Sequence, residues 1–245
     1  MKLSVIVPLY NEARILESVV RKLLASPCPV EREWILVDDG STDDSLDIAR
    51  RLKSEFGFLL LEQGRNQGKG AAITRGMREA TGDIVMIQDA DFEYDPRDVP
   101  MLLQPILDDE ADVVYGSRFK KSAGQVHRTY HYLVNRILTI LSNFLSGLYL
   151  SDMETCYKVF RADLVQAMNL TSQRFGIEVE LTAYVAKTQA RVQEYPIRYY
   201  PRTRTQGKKI NWRDGVAALH ALVLYNLLTS PARAFRNLPE RYRSR

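Results

Sequence analysis

The chain has 245 residues, 45% of them hydrophobic and 26% charged, which gives ample material for a buried core and excludes both wholesale disorder and a multi-span membrane protein. Its two cysteines, Cys28 and Cys156, cannot build a disulfide framework and have no metal-ligand spacing with the three histidines, which argues against a zinc site and fits a reducing cytosol. The net charge of +4 hides a division: positions 198–245 carry eleven basic residues against two acidic ones, a net of +9 suited to a polyanion, and the remainder stands at −5.

Met1 to Pro8 enters a strand pattern at once, without the longer apolar core of a signal peptide. Through residue 116, short apolar runs alternate with helical patterns. Leu3–Val7, Trp34–Val37, Phe58–Leu61, Ile84–Ile87 and Val113–Tyr115 are predicted strands. Between them, Glu12–Ala25, Asp43–Ser54, Lys69–Ala80 and Arg97–Leu107 are predicted helices. Ser41, Thr42, Asp43 and Asp44 offer N-caps for the second helix, and Pro96 suits a first helical turn. The alternation predicts an α/β fold: a Rossmann-like, mostly parallel sheet flanked by helices, with ligands at the carboxyl ends of the strands.

Beyond Tyr115 the rhythm changes. A polar loop, Gly116 to Gln125, precedes a helical pattern over Leu133–Leu150. There Asn135, Thr139, Ser142, Asn143 and Ser146 form one stripe, with Leu133, Ile137, Ile140, Leu141, Phe144 and Leu148 off it. The pattern is amphipathic rather than membrane-spanning, and it fits either a helix covering a core or one lying on a membrane surface. A short strand over Cys156–Phe160, a helix from Arg161, a helix over Phe175–Lys187 and an extended Val192–Tyr200 follow. Gly215 to Thr229 is apolar but, at 15 residues, too short to cross a bilayer, and a basic tail follows. No repeat or Gly/Ser linker intervenes, so one domain with C-terminal amphipathic helices is expected.

The groups that carry chemistry fall after the predicted strands. The first leads into Pro8-Leu9-Tyr10-Asn11-Glu12 and the second into Val37-Asp38-Asp39-Gly40-Ser41. A tight turn and a helix cap alone account for Asp-Gly-Ser-Thr. As a binding feature, a strand-end carboxylate accepts the imide N–H of uracil or guanine, and Tyr10 offers a ring face to the base. Both bases present that N–H, so the choice between them stays open.

The fourth strand leads into Gln88-Asp89-Ala90-Asp91-Phe92-Glu93. In an extended chain alternate residues share a side, so Asp89, Asp91 and Glu93 are expected to converge. Close carboxylates repel, and a hard divalent cation, Mg²⁺ or Mn²⁺, resolves the repulsion while bridging a diphosphate. The Asn66-Gln67-Gly68-Lys69-Gly70 loop matches neither a P-loop nor a dinucleotide fingerprint, which argues against an NTPase or a dehydrogenase. Gly116-Ser117-Arg118 and Tyr200-Pro201-Arg202-Thr203-Arg204 add guanidinium groups suited to phosphate.

Taken in order, these motifs resemble the family-2 glycosyltransferases of the GT-A fold, and among them the dolichyl- and polyprenyl-phosphate sugar synthases. The resemblance extends over residues 1–228 and draws also on Arg128, on Glu180 in Phe175-Gly176-Ile177-Glu178-Val179-Glu180, and on Glu194-Tyr195-Pro196-Ile197. It implies a nucleotide-sugar-binding half over 1–116, an acceptor and membrane-facing half over 117–228, and a basic tail over 229–245. By resemblance, Pro8, Tyr10, Glu12, Val37 and Asp39 bind the nucleoside. Asp89, Ala90 and Asp91 contact the nucleotide sugar, and Arg118, Arg202 and Lys208 meet its phosphates. Asp89, Asp91 and Glu93 hold the metal. Arg118, Arg128 and Asn135 are expected on the acceptor phosphate, and Asp152 and Glu180 on the sugar hydroxyls, so that Asp91, Arg118, Asp152 and Glu180 make the catalytic set. Glu93 stands where relatives often have Gln or His, and the Asp152-to-Lys158 segment departs from the usual mannose-phosphate synthase pattern, which leaves the donor sugar open.

The implied reaction is metal-dependent, inverting transfer of a hexose, mannose or glucose, from a GDP- or UDP-sugar to a polyprenyl or dolichyl phosphate. The implied setting is the cytoplasmic face of a membrane, with or without a separate membrane-anchoring subunit. A phosphate monoester has a second pKa of about 6, so the acceptor is already dianionic at neutral pH and needs no strong protein base. Transfer to a saccharide or protein hydroxyl is the rival enzyme reading, and it requires a carboxylate base and no amphipathic helix. A non-catalytic membrane-surface or nucleic-acid module is the third; no nucleic-acid motif is present, and such a module has no use for three converging acids.

Overall fold

The structure is a computed structural model that describes residues 1–120, 129–174, 176–201 and 212–243. Of the expected phosphate contacts, Arg128, Arg202 and Lys208 lie outside the described residues.

The strands are β1 (Lys2–Leu9), β2 (Glu31–Asp38), β3 (Leu59–Glu62), β4 (Ile84–Ile87), β5 (Val113–Ser117), β6 (Lys158–Arg161) and β7 (Val192–Pro196). They form one seven-stranded sheet in the order β3-β2-β1-β4-β6-β5-β7. Every neighbouring pair is parallel except at β6, which runs antiparallel to both β4 and β5. The helices are α1 (Leu16–Leu24), α2 (Ser45–Phe56), α3 (Lys69–Glu79), α4 (Val99–Leu107), α5 (Thr129–Ser146), α6 (Ala162–Gln166), α7 (Ile177–Ala186), α8 (Trp212–Val223) and α9 (Pro231–Ala234). A π-helical turn, Leu224–Leu228, extends α8.

The apolar runs become the centre of the sheet. All four residues of β4 are buried, as are Leu3, Val5, Ile6, Val7 and Leu9 of β1. Continuous burial of this kind is what a strand covered on both faces requires. Helix α1 buries Leu16, Val19, Val20 and Leu23, spaced three and four apart. It begins at Leu16 rather than at the expected Glu12, because Glu12 O first accepts Ile15 N in a turn. Strand order reverses at β1, with β2 and β3 to one side and β4 to the other. The crevice outside the carboxyl ends of β1 and β4 is therefore the switch point at which such sheets bind ligands.

The last described residues form a docked strap where the sequence suggests a basic tail. Asn169 N donates to Ala234 O and Arg236 N to Ala167 O, both at 2.7 Å, and Gln189 N to Tyr242 O at 3.0 Å. The Phe235 ring lies 5.8 Å from that of Tyr184, and Arg241 pairs with Asp163 at 2.6 Å. Tyr242 is buried. Tyr242→Ala is expected to cost about 3 kcal/mol, the loss typical of a buried aromatic, read as a lower urea midpoint at unchanged slope. A loose tail would give no change.

Candidate active site

The end of β1 is laced to the end of β2. Pro8 pairs in register with Val37, and Asp39 N donates to Leu9 O at 2.8 Å. The Val37 side chain is wholly buried in the core. Ala90 is buried as well. Asn11 takes a φ of 52°, a left-handed conformation that asparagine tolerates. From there Asn11 Oδ1 accepts Thr42 N at 2.8 Å, and Glu12 N donates to Ser45 Oγ at 2.8 Å. The polar cluster expected to cap α2 is thus divided. Asp43 accepts Ser45 N at 3.0 Å, while Ser41, Thr42 and Ser45 hold the loop that carries Tyr10 and Glu12.

Asp39, expected on the base, is 3% exposed and holds a loop. Its carboxylate accepts from Gln63 Nε2 at 2.6 Å, Asn66 Nδ2 at 3.0 Å, Gln67 N at 2.7 Å and Gly68 N at 2.8 Å. A carboxylate has about four acceptor sites, and here the chain fills them. That loop delivers Gly68, Lys69 and Gly70 to the start of α3. A β-carbon on Gly68 or Gly70 would collide with the carbonyl oxygen of Gln173 or Ser172. Glycine here is a requirement of close backbone approach.

Beyond β4 the chain turns, so the alternation that would align three acids does not apply. Asp89 pairs with Lys69 Nζ at 2.9 Å. Asp91 accepts Glu93 N at 2.9 Å, and Glu93 accepts the Tyr199 hydroxyl at 2.8 Å. Glu93 O also accepts Tyr200 N at 2.8 Å, so Glu93 anchors the segment after β7. Among the described residues no three His, Cys, Asp or Glu side chains are close enough to share an ion. The expected three-carboxylate cage is not formed. Asp89 and Asp91 remain hard oxygen donors of the kind Mg²⁺ takes, in the one-or-two-carboxylate sites that phosphate oxygens and water complete. The donor set fits such an ion and does not fit an all-protein cage.

Arg118 follows β5 and is clamped by Asp152. Nε and Nη2 donate to the two carboxylate oxygens at 2.7 and 2.8 Å, and the Arg118 N–H adds a third bond at 2.9 Å. Burial acts against the guanidinium charge, and the Asp152 carboxylate outweighs it. Asp152 is wholly buried with both oxygens engaged on Arg118, which it positions. Its loop is clipped to α5: Asn143 Nδ2 donates to Leu150 O at 2.8 Å, Thr139 Oγ1 accepts Met153 N at 3.2 Å, and Arg136 Nη1 donates to Ser151 O at 3.0 Å. Asn135 is half-buried on the same helix.

Glu180 is likewise a positioning residue. It is wholly buried and accepts Thr171 N and Ser172 N, each at 2.8 Å. Burial pushes its carboxyl up against those bonds. It therefore holds the turn on which Gly68 and Gly70 rest.

Four residues absent from the expected set complete the site. Lys69 bridges Asp89 at 2.9 Å and Glu178 at 3.0 Å; burial would lower its pKa, but Asp89 and Glu178 raise it well above the ordinary lysine value. Lys158 is wholly buried, donates to Met153 O at 2.9 Å and to Thr155 O, and burial lowers its pKa. Beside it the Glu154 carboxyl is pushed up to about 7, by burial first and by the Glu178 charge second. The sequence signals for two of them are a lysine inside an apolar strand, Lys158, and an acid on a helix that is apolar all round, Glu178.

The glycosyl transferase family 2 model matches residues 4–168. Dodecaprenyl-phosphate galacturonate synthase of Rhizobium johnstonii is 30% identical over 71% of this chain and 52% of its own. Dolichol-phosphate mannosyltransferase of Pyrococcus furiosus is 27% identical over 85% of this chain and 59% of its own. Undecaprenyl-phosphate 4-deoxy-4-formamido-L-arabinose transferase of Pseudomonas syringae is 30% identical over 70% and 50%. The chain thus spans 50–59% of the length of these relatives. Among solved structures, glucosyl-3-phosphoglycerate synthase from Mycobacterium tuberculosis with Mn²⁺, UDP and glucosyl-3-phosphoglycerate superposes with a TM-score of 0.69 at 19% identity, covering 92% of this chain and 80% of that one. At that identity the likeness establishes the fold.

Asp152→Ala strands a buried guanidinium and is expected to cost about 3–5 kcal/mol of stability in chemical unfolding. Removing Arg118 as well is expected to recover part of that loss, since no uncompensated charge then remains.

Proposed function

This chain belongs to glycosyl transferase family 2, and on that premise we propose that it transfers a hexose from a nucleotide diphosphate sugar to a polyprenyl phosphate, with inversion at the anomeric carbon. The observation that carries the lipid acceptor is the orientation of α5. Thr139 and Ser142 of its polar stripe are buried against the protein, while Leu133, Ile137, Ile140, Leu141 and Phe144 are exposed, Phe144 to 87%. Tyr149, just beyond the helix, is fully exposed. Neighbouring α8 and its π-turn add exposed Leu219, Val223, Leu227 and Leu228. An apolar face on a chain whose C-terminal quarter is basic in sequence suits the surface of an anionic bilayer. Among the described residues no helix is long and apolar enough to cross a membrane. The proposed attachment is through this apolar face, at the cytoplasmic side of a membrane.

The names of the relatives, each a transfer to or synthesis of a polyprenyl- or dolichol-linked phosphate sugar, support this reading. Crystals of the structural neighbour with Mn²⁺ or Mg²⁺ and UDP support a divalent ion and a nucleotide donor. A divalent cation on Asp89 and Asp91 would neutralise the diphosphate and stabilise it as the leaving group. Tyr10 and Glu12 lie on the loop proposed to frame the nucleoside, and Asp39 acts there through the 63–68 loop that it holds. An acceptor phosphate oxygen attacks the anomeric carbon as the bond from that carbon to the diphosphate oxygen breaks and the nucleoside diphosphate departs with the electron pair. Arg118, its plane set by Asp152, brings fixed positive charge to the phosphates without reorganisation. Arg128, Arg202, Lys208 and Asn135 are proposed to share that work.

A panel of UDP- and GDP-hexoses against a short-chain polyprenyl phosphate and a free alcohol tests the reading. Transfer is expected to the phosphate only, to cease on chelation and to return with Mg²⁺ or Mn²⁺. Asp91→Ala is expected to lower it by at least ~100-fold. Transfer to the alcohol alone would replace this reading with the hydroxyl-acceptor one.

Replacing Ile140 and Phe144 together by Glu is expected to abolish co-sedimentation with phosphatidylglycerol vesicles while leaving nucleotide binding intact. Unchanged sedimentation would show that α5 is not the contact.

A further inference from the structure

The neighbourhood of Lys69 holds more acceptors than the chain satisfies. Glu178 Oε2, Glu154 Oε1 and Thr155 Oγ1 are buried without any hydrogen-bond partner. Glu178 is 6% exposed and Thr155 is wholly buried. Buried polar atoms in folded proteins are nearly always paired, and an unpaired carboxylate oxygen is among the costliest exceptions. Three together, one of them a hydroxyl and so independent of the acids, point to a group brought from outside. Two carboxylate oxygens and a hydroxyl are satisfied by O–H donors.

Position and charge narrow the ligand further. Lys69 links Glu178 at 3.0 Å to Asp89 at 2.9 Å, so these acceptors adjoin the group proposed to meet the donor diphosphate. A sugar attached to that diphosphate has hydroxyls within the same neighbourhood. The side chains clustered there comprise the carboxyl groups of Asp89, Asp152, Glu154 and Glu178 beside the cations Lys69, Lys158 and Arg118, and the Glu154 carboxyl, pushed up to about 7, carries less than a full negative charge at neutral pH. Each cation is already engaged: Lys69 and Arg118 in ion pairs, and Lys158 with the carbonyls of Met153 and Thr155. A sugar carboxylate set against the unpaired Glu178 Oε2 would meet a like charge and offer fewer O–H donors than the neutral sugar.

We propose, resting on the glycosyl-transfer reading above, that Glu154, Thr155 and Glu178 line the donor-sugar subsite and select a neutral, hydroxyl-bearing hexose against a hexuronate.

Calorimetric titration of the full chain in Mg²⁺ tests it, with donors paired so that they differ only at C6: UDP-glucose and UDP-glucuronate, UDP-galactose and UDP-galacturonate, GDP-mannose and GDP-mannuronate. UDP and GDP alone serve as references. For the base that binds, each neutral sugar nucleotide is expected to bind at least as tightly as the bare diphosphate. The hexuronate is expected to bind at least ~30-fold more weakly than its neutral partner, the order expected for like charges in a partly buried site. Glu178→Gln or Glu154→Gln is expected to narrow that ratio by strengthening hexuronate binding. Equal or tighter binding of hexuronates by the unsubstituted protein overturns the proposal, whatever the folding of the variants. So does a ratio unchanged in both folded variants. Tight binding of UDP or GDP without discrimination at C6 fails the subsite alone; failure of both diphosphates to bind fails the glycosyl-transfer reading and the subsite with it.

Discussion

One ammonium group joins the parts of the site that come from different regions of the chain. Lys69 opens α3, Asp89 follows β4, and Glu178 lies in the first turn of α7. Desolvating three charges costs several kcal/mol for each ion, so the bridge is a device of position more than of stability. Its geometry depends on a relay of contacts further out. Glu180 holds Thr171 and Ser172, and the Ser172 and Gln173 carbonyls pack where Gly68 and Gly70 have no side chain. Ala71 N closes the contact on Gln173 O at 3.0 Å. Two glutamates two residues apart on α7 thus act on the same lysine, one directly and one through the backbone that seats it.

A second relay sets the guanidinium. Glu194, on β7, accepts Ser151 N at 2.9 Å and Asp152 N at 3.0 Å, and Asp152 clamps Arg118. The sheet reaches Arg118 twice, through its own strand β5 and through β7. Such over-determination lets a cation stay fixed in a largely buried place, where reorganisation during a reaction would be costly.

The parallel part of the fold is legible in the sequence because its signals are local: an apolar run of strand length, a turn, a helical stripe. The site is legible only as far as its location. Asp89, Asp91, Arg118 and Asp39 do follow strand ends, but their partners are non-local, and spacing in the chain says nothing about Arg118 meeting Asp152 34 residues away. The convergence of Asp89, Asp91 and Glu93 required an extended segment, and β4 ends at Ile87. Conversely, Lys158 within an apolar strand and Glu178 on a helix apolar all round are signals of buried charge written into the sequence itself. Periodicity finds a charged residue in an apolar setting; only the three-dimensional structure says with which group it pairs.

Helix α5 shows the same limit and its consequence. A 3.6-residue period identifies two faces but not which one meets the protein. Here the polar face turns inward, because Arg136, Thr139 and Asn143 are needed on the 150–153 loop. With that face committed, the apolar one is left in water, and burying each Leu, Ile or Phe from it is worth about 1.5–3 kcal/mol. A covering surface is therefore favoured by the same arrangement that holds Asp152. The helix that carries the apolar face is also the helix that fixes the loop behind Arg118.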